Sequence, residues 1–195
     1  MKKSILLALP ALALLASCGH KPDADNTTVL AENGTVAGTS TDPGSSVMND
    51  AVPMPAMTGQ EFANAAASTD AYEIEAGKLA QSKATTAALK DFGKMMVANH
   101  TDSTAALKKA AAKASPAIVP DATLTPEQAA NLDTLRSATG EDFDNAYKSQ
   151  QVATHQKALA VMQGYAANGD VESLKDAAAS TVPIVQAHLT KIQGM

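Results

Sequence analysis

Residues 89–107 read LKDFGKMMVANHTDSTAAL, and this stretch predicts one long helix with a mixed interior face. Its inward-facing side chains recur at steps of three, four or multiples of seven residues, the spacing of one face of an α-helix. His100 falls on the same stripe, so its imidazole is expected to point into the protein interior. The other members of the stripe are Leu89, Phe92, Met96, Ser103 and Leu107.

Helices are also predicted before and after this stretch. A capping box at Thr58 and Glu61 begins the first. Thr125 followed by Pro126 begins a short helix, because proline at the first helical position loses no hydrogen bond. Asp170 is predicted to cap the last helix. The predicted helices cover residues 58–82, 87–113, 125–139, 141–167 and 171 onward.

Two breaks are predicted in the second half of the chain. Asn168-Gly169 is typical of a left-handed helix stop. Pro183 is expected to kink or split the last helix, because it removes a backbone hydrogen bond and crowds the carbonyl of Ala179.

The order of the helices predicts the fold class. Residues 58–195 are rich in alanine and lack tryptophan, a composition that favours helices. Two helical hairpins joined by a longer crossover with a short helix are the layout of a ferritin-like four-helix bundle. We therefore predict an all-α domain over 58–195.

The N-terminal residues, MKKSILLALPALALLASC, predict export and lipidation. Two lysines precede an apolar run, as in a secretion signal, and Leu15-Ala16-Ser17-Cys18 resembles the bacterial lipobox. That resemblance implies a signal peptide over 1–17 and a lipid anchor, diacylglycerol with palmitate, on Cys18. Gly19 rather than aspartate follows the cysteine, and by resemblance to enterobacterial sorting signals this implies the outer membrane, with the domain in the periplasm.

Residues 18–57 are predicted to be a disordered linker, because their Gly, Pro, Ser, Thr, Asn and Asp cannot bury enough apolar surface to fold. The chain has a formal net charge of −5 and no basic patch for nucleic acid. The membrane, reached through Cys18, is the predicted partner. No nucleophile arrangement or phosphate loop is visible, so no catalytic residue is predicted and an enzymatic activity is not expected.

Three histidines share the pattern V-x-x-H and are predicted to face one another. His100, His155 and His188 each fall on the inward face of a different long helix, near its middle. Glu73 falls at a similar level on the first helix. Three imidazoles and one carboxylate on facing helices could hold a mononuclear zinc, copper, nickel or iron ion.

A metal-free alternative fits the same positions. Buried neutral histidines can donate one hydrogen bond and accept another, and the chain offers partners for them. The supporting residues predicted around the histidines in either case are Asp144, Tyr147 and Gln151.

Valine stands three residues before each of the three histidines, at positions 97, 152 and 185. Di-iron bundles place a glutamate there to bridge two ions. Di-iron oxidase chemistry is therefore not expected, and the sequence favours a single ion or none.

Five ordered motifs carry a resemblance to a known family. They read DAYEIEAGKLA at 70–80, MVANH at 96–100, FDNAY at 143–147, QVATH at 151–155 and VPIVQAHL at 182–189. Together they resemble a bacterial family of unassigned activity, whose members are described as exported or outer-membrane proteins with a ferritin-like bundle. The resemblance implies fold and location. The sequence thus supports a tethered binding or envelope-stress module with a metal site, or an interaction scaffold with a structural histidine cluster.

Overall fold

The computed structural model describes residues 57–195, and the predictions for the signal peptide, Cys18 and the linker up to residue 56 lie outside the described residues. The described chain is all-helical. None of its helices is both long enough and apolar enough to cross a membrane. The helices are α1 Gly59–Lys83, α2 Ala87–Ala111, α3 Pro126–Ser137, α4 Gly140–Asn168 and α5 Glu172–Gln193.

The four long helices form two hairpins, α1 with α2 and α4 with α5. Three-residue connections at 84–86 and 169–171 fold each pair back on itself. The hairpins meet through α1 against α4 and α2 against α5, and α3 in the crossover lies against α1 and α4. The predicted four-helix bundle with a helical crossover is confirmed.

Apolar side chains fill the bundle in two clusters, one at each end. The first surrounds Phe92, Tyr72 and Tyr147. The second surrounds Phe62, Leu107 and Tyr165. Between them every long helix contributes buried polar side chains, which form a polar layer. The layer consists of Asp70, Glu73, His100, Gln151, His155 and His188.

The connection between α4 and α5 differs from the prediction. Gly169 has φ −64°, so the helix does not end in the left-handed region. A Cβ on Gly169 would lie 2.6 Å from the Tyr165 ring, and this close approach explains the glycine. Asp170 does not cap α5, because Val171 occupies the N-cap position. The Asp170 carboxylate instead accepts a hydrogen bond from the Tyr165 hydroxyl at 2.9 Å.

Pro183 lies inside α5, which continues from Glu172 to Gln193, so of the two predicted outcomes, a kink or a split, the split is wrong. The carbonyl that loses its partner belongs to Ala179, an exposed residue, and water can hydrogen-bond to it. Ile184, one turn before His188 on α5, is 48% exposed.

Two glycines set how closely α1 and α2 approach. A Cβ on Gly93 would lie 2.7 Å from the Gly77 carbonyl oxygen, and a Cβ on Gly77 would lie 2.7 Å from the Gly93 carbonyl oxygen. Only residues without a side chain allow this backbone contact.

We expect Gly93→Ala to lower the free energy of unfolding by about 1–3 kcal/mol, because backbone cannot move aside as a side chain can. Gly164→Ala is the matched control. A Cβ there meets nothing within 4 Å, so alanine should stabilise α4 by about 0.5–1 kcal/mol. Urea unfolding of both variants measures the difference, and a gain in stability for both would contradict the close contact.

Candidate metal centre

The three histidines predicted to face one another do so at the centre of the polar layer. One ring nitrogen from each of His100, His155 and His188 can be chosen so that all three lie within 4.8 Å of one another. Nε2 of His155 and Nδ1 of His188 are 3.3 Å apart. All three residues are buried, with at most 8% of their surface exposed.

His100 is oriented by a buried carboxylate on α1. Its Nδ1–H donates to Oδ1 of Asp70 at 2.8 Å, and the Thr104 hydroxyl donates to Oδ2 of Asp70 at 3.1 Å. Nε2 of His100 is buried and has no hydrogen-bond partner within residues 57–195. Because Nδ1 carries the proton that Asp70 accepts, Nε2 keeps its lone pair, which is the group that could bind a metal ion.

His155 and His188 are oriented by amides. Nδ1–H of His155 donates to the backbone carbonyl of Gln151 at 2.8 Å, which leaves Nε2 with its lone pair. Nε2 of His188 lies 2.8 Å from the side-chain nitrogen of Asn99, which leaves Nδ1 toward the other rings. Nε2 of His100, Nε2 of His155 and Nδ1 of His188 are thus the nitrogens that face the centre of the cluster.

Glu73 lies beside the cluster rather than among its donor atoms. Its Oε2 accepts from the Gln151 side chain at 2.6 Å, and its Oε1 is 4.0 Å from Nδ1 of His155. Oε1 is the one of its two oxygens without a hydrogen bond inside the described domain. The structure thus places the predicted fourth ligand beside the Nδ1 edge of His155, whereas Nε2 of His155 faces His188.

The predicted supporting residues lie in different places. Gln151 contacts both Glu73 and His155: its side-chain amide donates to Glu73, and its backbone carbonyl accepts from His155. Tyr147 stacks on Phe143, and its buried hydroxyl has no hydrogen-bond partner in the part of the chain that is described. Asp144 does not support the histidines, contrary to the prediction. Its carboxylate accepts from the backbone and the hydroxyl of Thr85, and so fixes the turn between α1 and α2.

Asp70 and Asn99 are the polar contacts that sequence reasoning missed as partners of the histidines. Asp70 lies three residues before Glu73, almost one turn away on the same face of α1. An acidic residue at that spacing on the inward face of an alanine-rich helix was the available signal. Asn99 precedes His100 but serves His188 on another helix, which local spacing does not reveal.

The surroundings shift the histidine pKa values in opposite directions. Burial, together with the charges of His155, His100 and Lys191, lowers the pKa of His188 to about 3. Burial also lowers the pKa of His155, against the opposing charge of Glu73. For His100 burial is outweighed by the hydrogen bond to Asp70 and by the charges of Glu73 and Asp70, so its pKa is raised. Neutral imidazoles at His155 and His188 are the form that binds metal.

These features define the class of the protein, an all-helical bundle domain with a buried histidine centre. Residues 45–195 match the family described as a domain of unknown function, DUF4142, and the chain belongs to that family. No curated protein matches the sequence significantly. A solved structure described as CopM in the Cu(II)-bound form is similar, with a TM-score of 0.61 and 17% identity over 71% of this chain and 95% of that chain. At this identity the likeness shows the fold alone.

We expect the metal-free protein to lose stability as the pH falls from about 6.5 to about 5, since the unfolded chain then binds protons that folded His155 and His188 do not. His100 acts oppositely, because its raised pKa contributes stability that is lost as the pH rises above about 6.5. Melting temperatures measured across this pH range in a chelating buffer test the direction in which stability changes with pH. A melting temperature that stays constant or rises on acidification through this window would contradict the pKa shifts.

Proposed function

We propose that this domain binds a single divalent transition-metal ion through His100, His155 and His188. The observation that carries the proposal is the convergence of three buried ring nitrogens within 4.8 Å. Metal–nitrogen bonds of about 2.0–2.1 Å put the ligand atoms of a tetrahedral or trigonal site roughly 3.3–3.6 Å apart. The 3.3 Å pair from His155 and His188 already fits, and the third ring must approach by at most about 1.5 Å to close a separation of up to 4.8 Å.

The orientation of the rings supports metal binding. Metal-ligating histidines donate their second N–H to a carboxylate or carbonyl, which fixes the tautomer. His100 with Asp70 and His155 with the Gln151 carbonyl have this arrangement. His188 attains it when Asn99 presents its carbonyl oxygen, instead of its amide nitrogen, to Nε2.

The charge around the cluster supports a dication. A buried ion needs nearby compensation, because desolvation of an isolated charge is costly. Asp70 behind His100 and Glu73 beside His155 place two buried carboxylates around the three neutral donors. The pair offsets a charge of +2 without occupying a coordination position.

Copper(II) is the ion we favour. Among divalent first-row ions, copper binds nitrogen donors most tightly, and imidazole also suits zinc, nickel and iron. The similar structure described as CopM in the Cu(II)-bound form supports the same choice. Valine at positions 97, 152 and 185 argues against a second ion.

A second candidate function, an interaction scaffold with a metal-free histidine cluster, is favoured by one observation. The Asn99 amide can donate to His188, His188 to His155, and His155 to the Gln151 carbonyl, which forms a continuous chain of hydrogen bonds. That chain leaves Nε2 of His100 and Oε1 of Glu73 without partners in the described region, and for this reason we prefer the metal site.

We expect the full chain, purified without a histidine tag, to bind one copper(II) ion, and Asp70→Asn to weaken this binding about 10- to 100-fold, as loss of such an orienting carboxylate does. The amide keeps the shape of the side chain but removes its charge. Calorimetric titration with copper(II), after elemental analysis, measures stoichiometry and affinity.

Asp144→Asn is the matched control, because it also changes a buried carboxylate that binds a neighbouring threonine. It should leave copper affinity unchanged even if it lowers stability. Wild-type protein that takes up no stoichiometric ion and shows an unchanged melting temperature in excess copper, zinc, nickel and iron would favour the scaffold.

We further propose that the domain is tethered to the outer membrane through a lipid on Cys18, as the lipobox resemblance supports. We expect Cys18→Ala to move the protein from the membrane fraction to the soluble fraction of the cell envelope. Ser4→Ala, which leaves the lipobox intact, should stay with the membrane. An unlipidated, soluble wild-type protein would contradict the anchor.

A further inference from the structure

The histidine cluster opens into a cavity between α2 and α5. The cavity has a volume of about 600 Å³, and His100 and His188 both line it. A second cavity of about 190 Å³ on the α1 and α4 side also reaches His100, but neither of the other two histidines lines it. The larger cavity is within the size range of small-molecule sites, about 300–1,000 Å³.

The lining of the larger cavity is mostly apolar away from the histidines. Phe62, Leu107 and Met162 belong to it, and Ile184, which is 48% exposed, lies along it. An exposed isoleucine next to a cavity is a surface that an apolar ligand would cover. A molecule that fills this cavity would therefore have an apolar body, and the end of it near His100 and His188 would face their imidazole nitrogens.

Charge around the cavity favours an uncharged ligand. Lys109 and Lys113 are balanced by Asp102 and Asp176 among the lining residues. At the inner end a dication would already be offset by the carboxylates of Asp70 and Glu73. A further charge would be buried without a partner, which is costly.

We propose that this cavity binds an uncharged, mostly apolar small molecule through one nitrogen or oxygen donor atom that coordinates the bound metal. The inference rests on the proposed metal site, since three histidines leave a coordination position for an added ligand. The donor atom would bind between His100 and His188, with the body along Phe62, Leu107 and Met162.

The probes for the test are 1-methyl-, 1-butyl- and 1-hexylimidazole, with hexanoate as a charged probe of similar length. Copper content and affinity of the full chain are measured first. The copper-loaded protein is then titrated by visible absorption, and its copper content is measured again after gel filtration. Each added methylene that enters the cavity is expected to tighten binding about 4-fold, and hexanoate should bind at least 10-fold more weakly than 1-hexylimidazole.

Ala177→Leu fills the cavity, because Ala177 lines it, and Ala179→Leu on the same helix is the control, because Ala179 is exposed outside it. Ala177→Leu should weaken the binding of 1-hexylimidazole at least 10-fold. It should leave the affinities for 1-methylimidazole and for copper unchanged. Equal affinities for the three imidazoles, or equal effects of the two variants, would overturn the cavity proposal while leaving the metal site intact. Failure of wild-type protein to bind copper would overturn both proposals.

Discussion

The layer of buried polar side chains across the middle of the bundle is the constraint on which the rest of the structure depends. Each group there costs free energy unless it is hydrogen-bonded, so the helices must keep the register that joins them. Asp70 on α1 reaches His100 on α2. Gln151 on α4 reaches Glu73 on α1. These contacts cross the bundle between two apolar clusters that supply most of the packing.

The same layer explains why a metal site is the better account of the histidines. A purely structural cluster should satisfy its members, yet Nε2 of His100 and Oε1 of Glu73 have no hydrogen-bond partner in the region that the structure describes. An ion bound by the three rings would be coordinated by Nε2 of His100, and the negative charge of Glu73 would offset part of the ion's positive charge. The surrounding contacts then act as orienting groups rather than as an isolated polar core.

Periodicity predicted the fold and the meeting of the histidines, because both depend on which helix face a residue occupies. His100, His155 and His188 could be placed in this way from spacing alone. Asp70, Asn99 and Asp144 could not, since their partners lie on other helices or, for Asp144, in the turn between α1 and α2, and depend on the relative register of the hairpins. The exposure of Ile184 could not be predicted either, because it lies one turn from buried His188 on the same helix yet lines the open cavity, which helical phase does not show.

The central claim is that three imidazoles share one ion, and X-ray absorption spectroscopy of the copper(II)-loaded full chain tests it most directly. Three histidine ligands predict nitrogen scatterers at about 2.0 Å with the outer-shell scattering of three imidazole rings. Fewer than three imidazoles around the copper would contradict the site built from His100, His155 and His188.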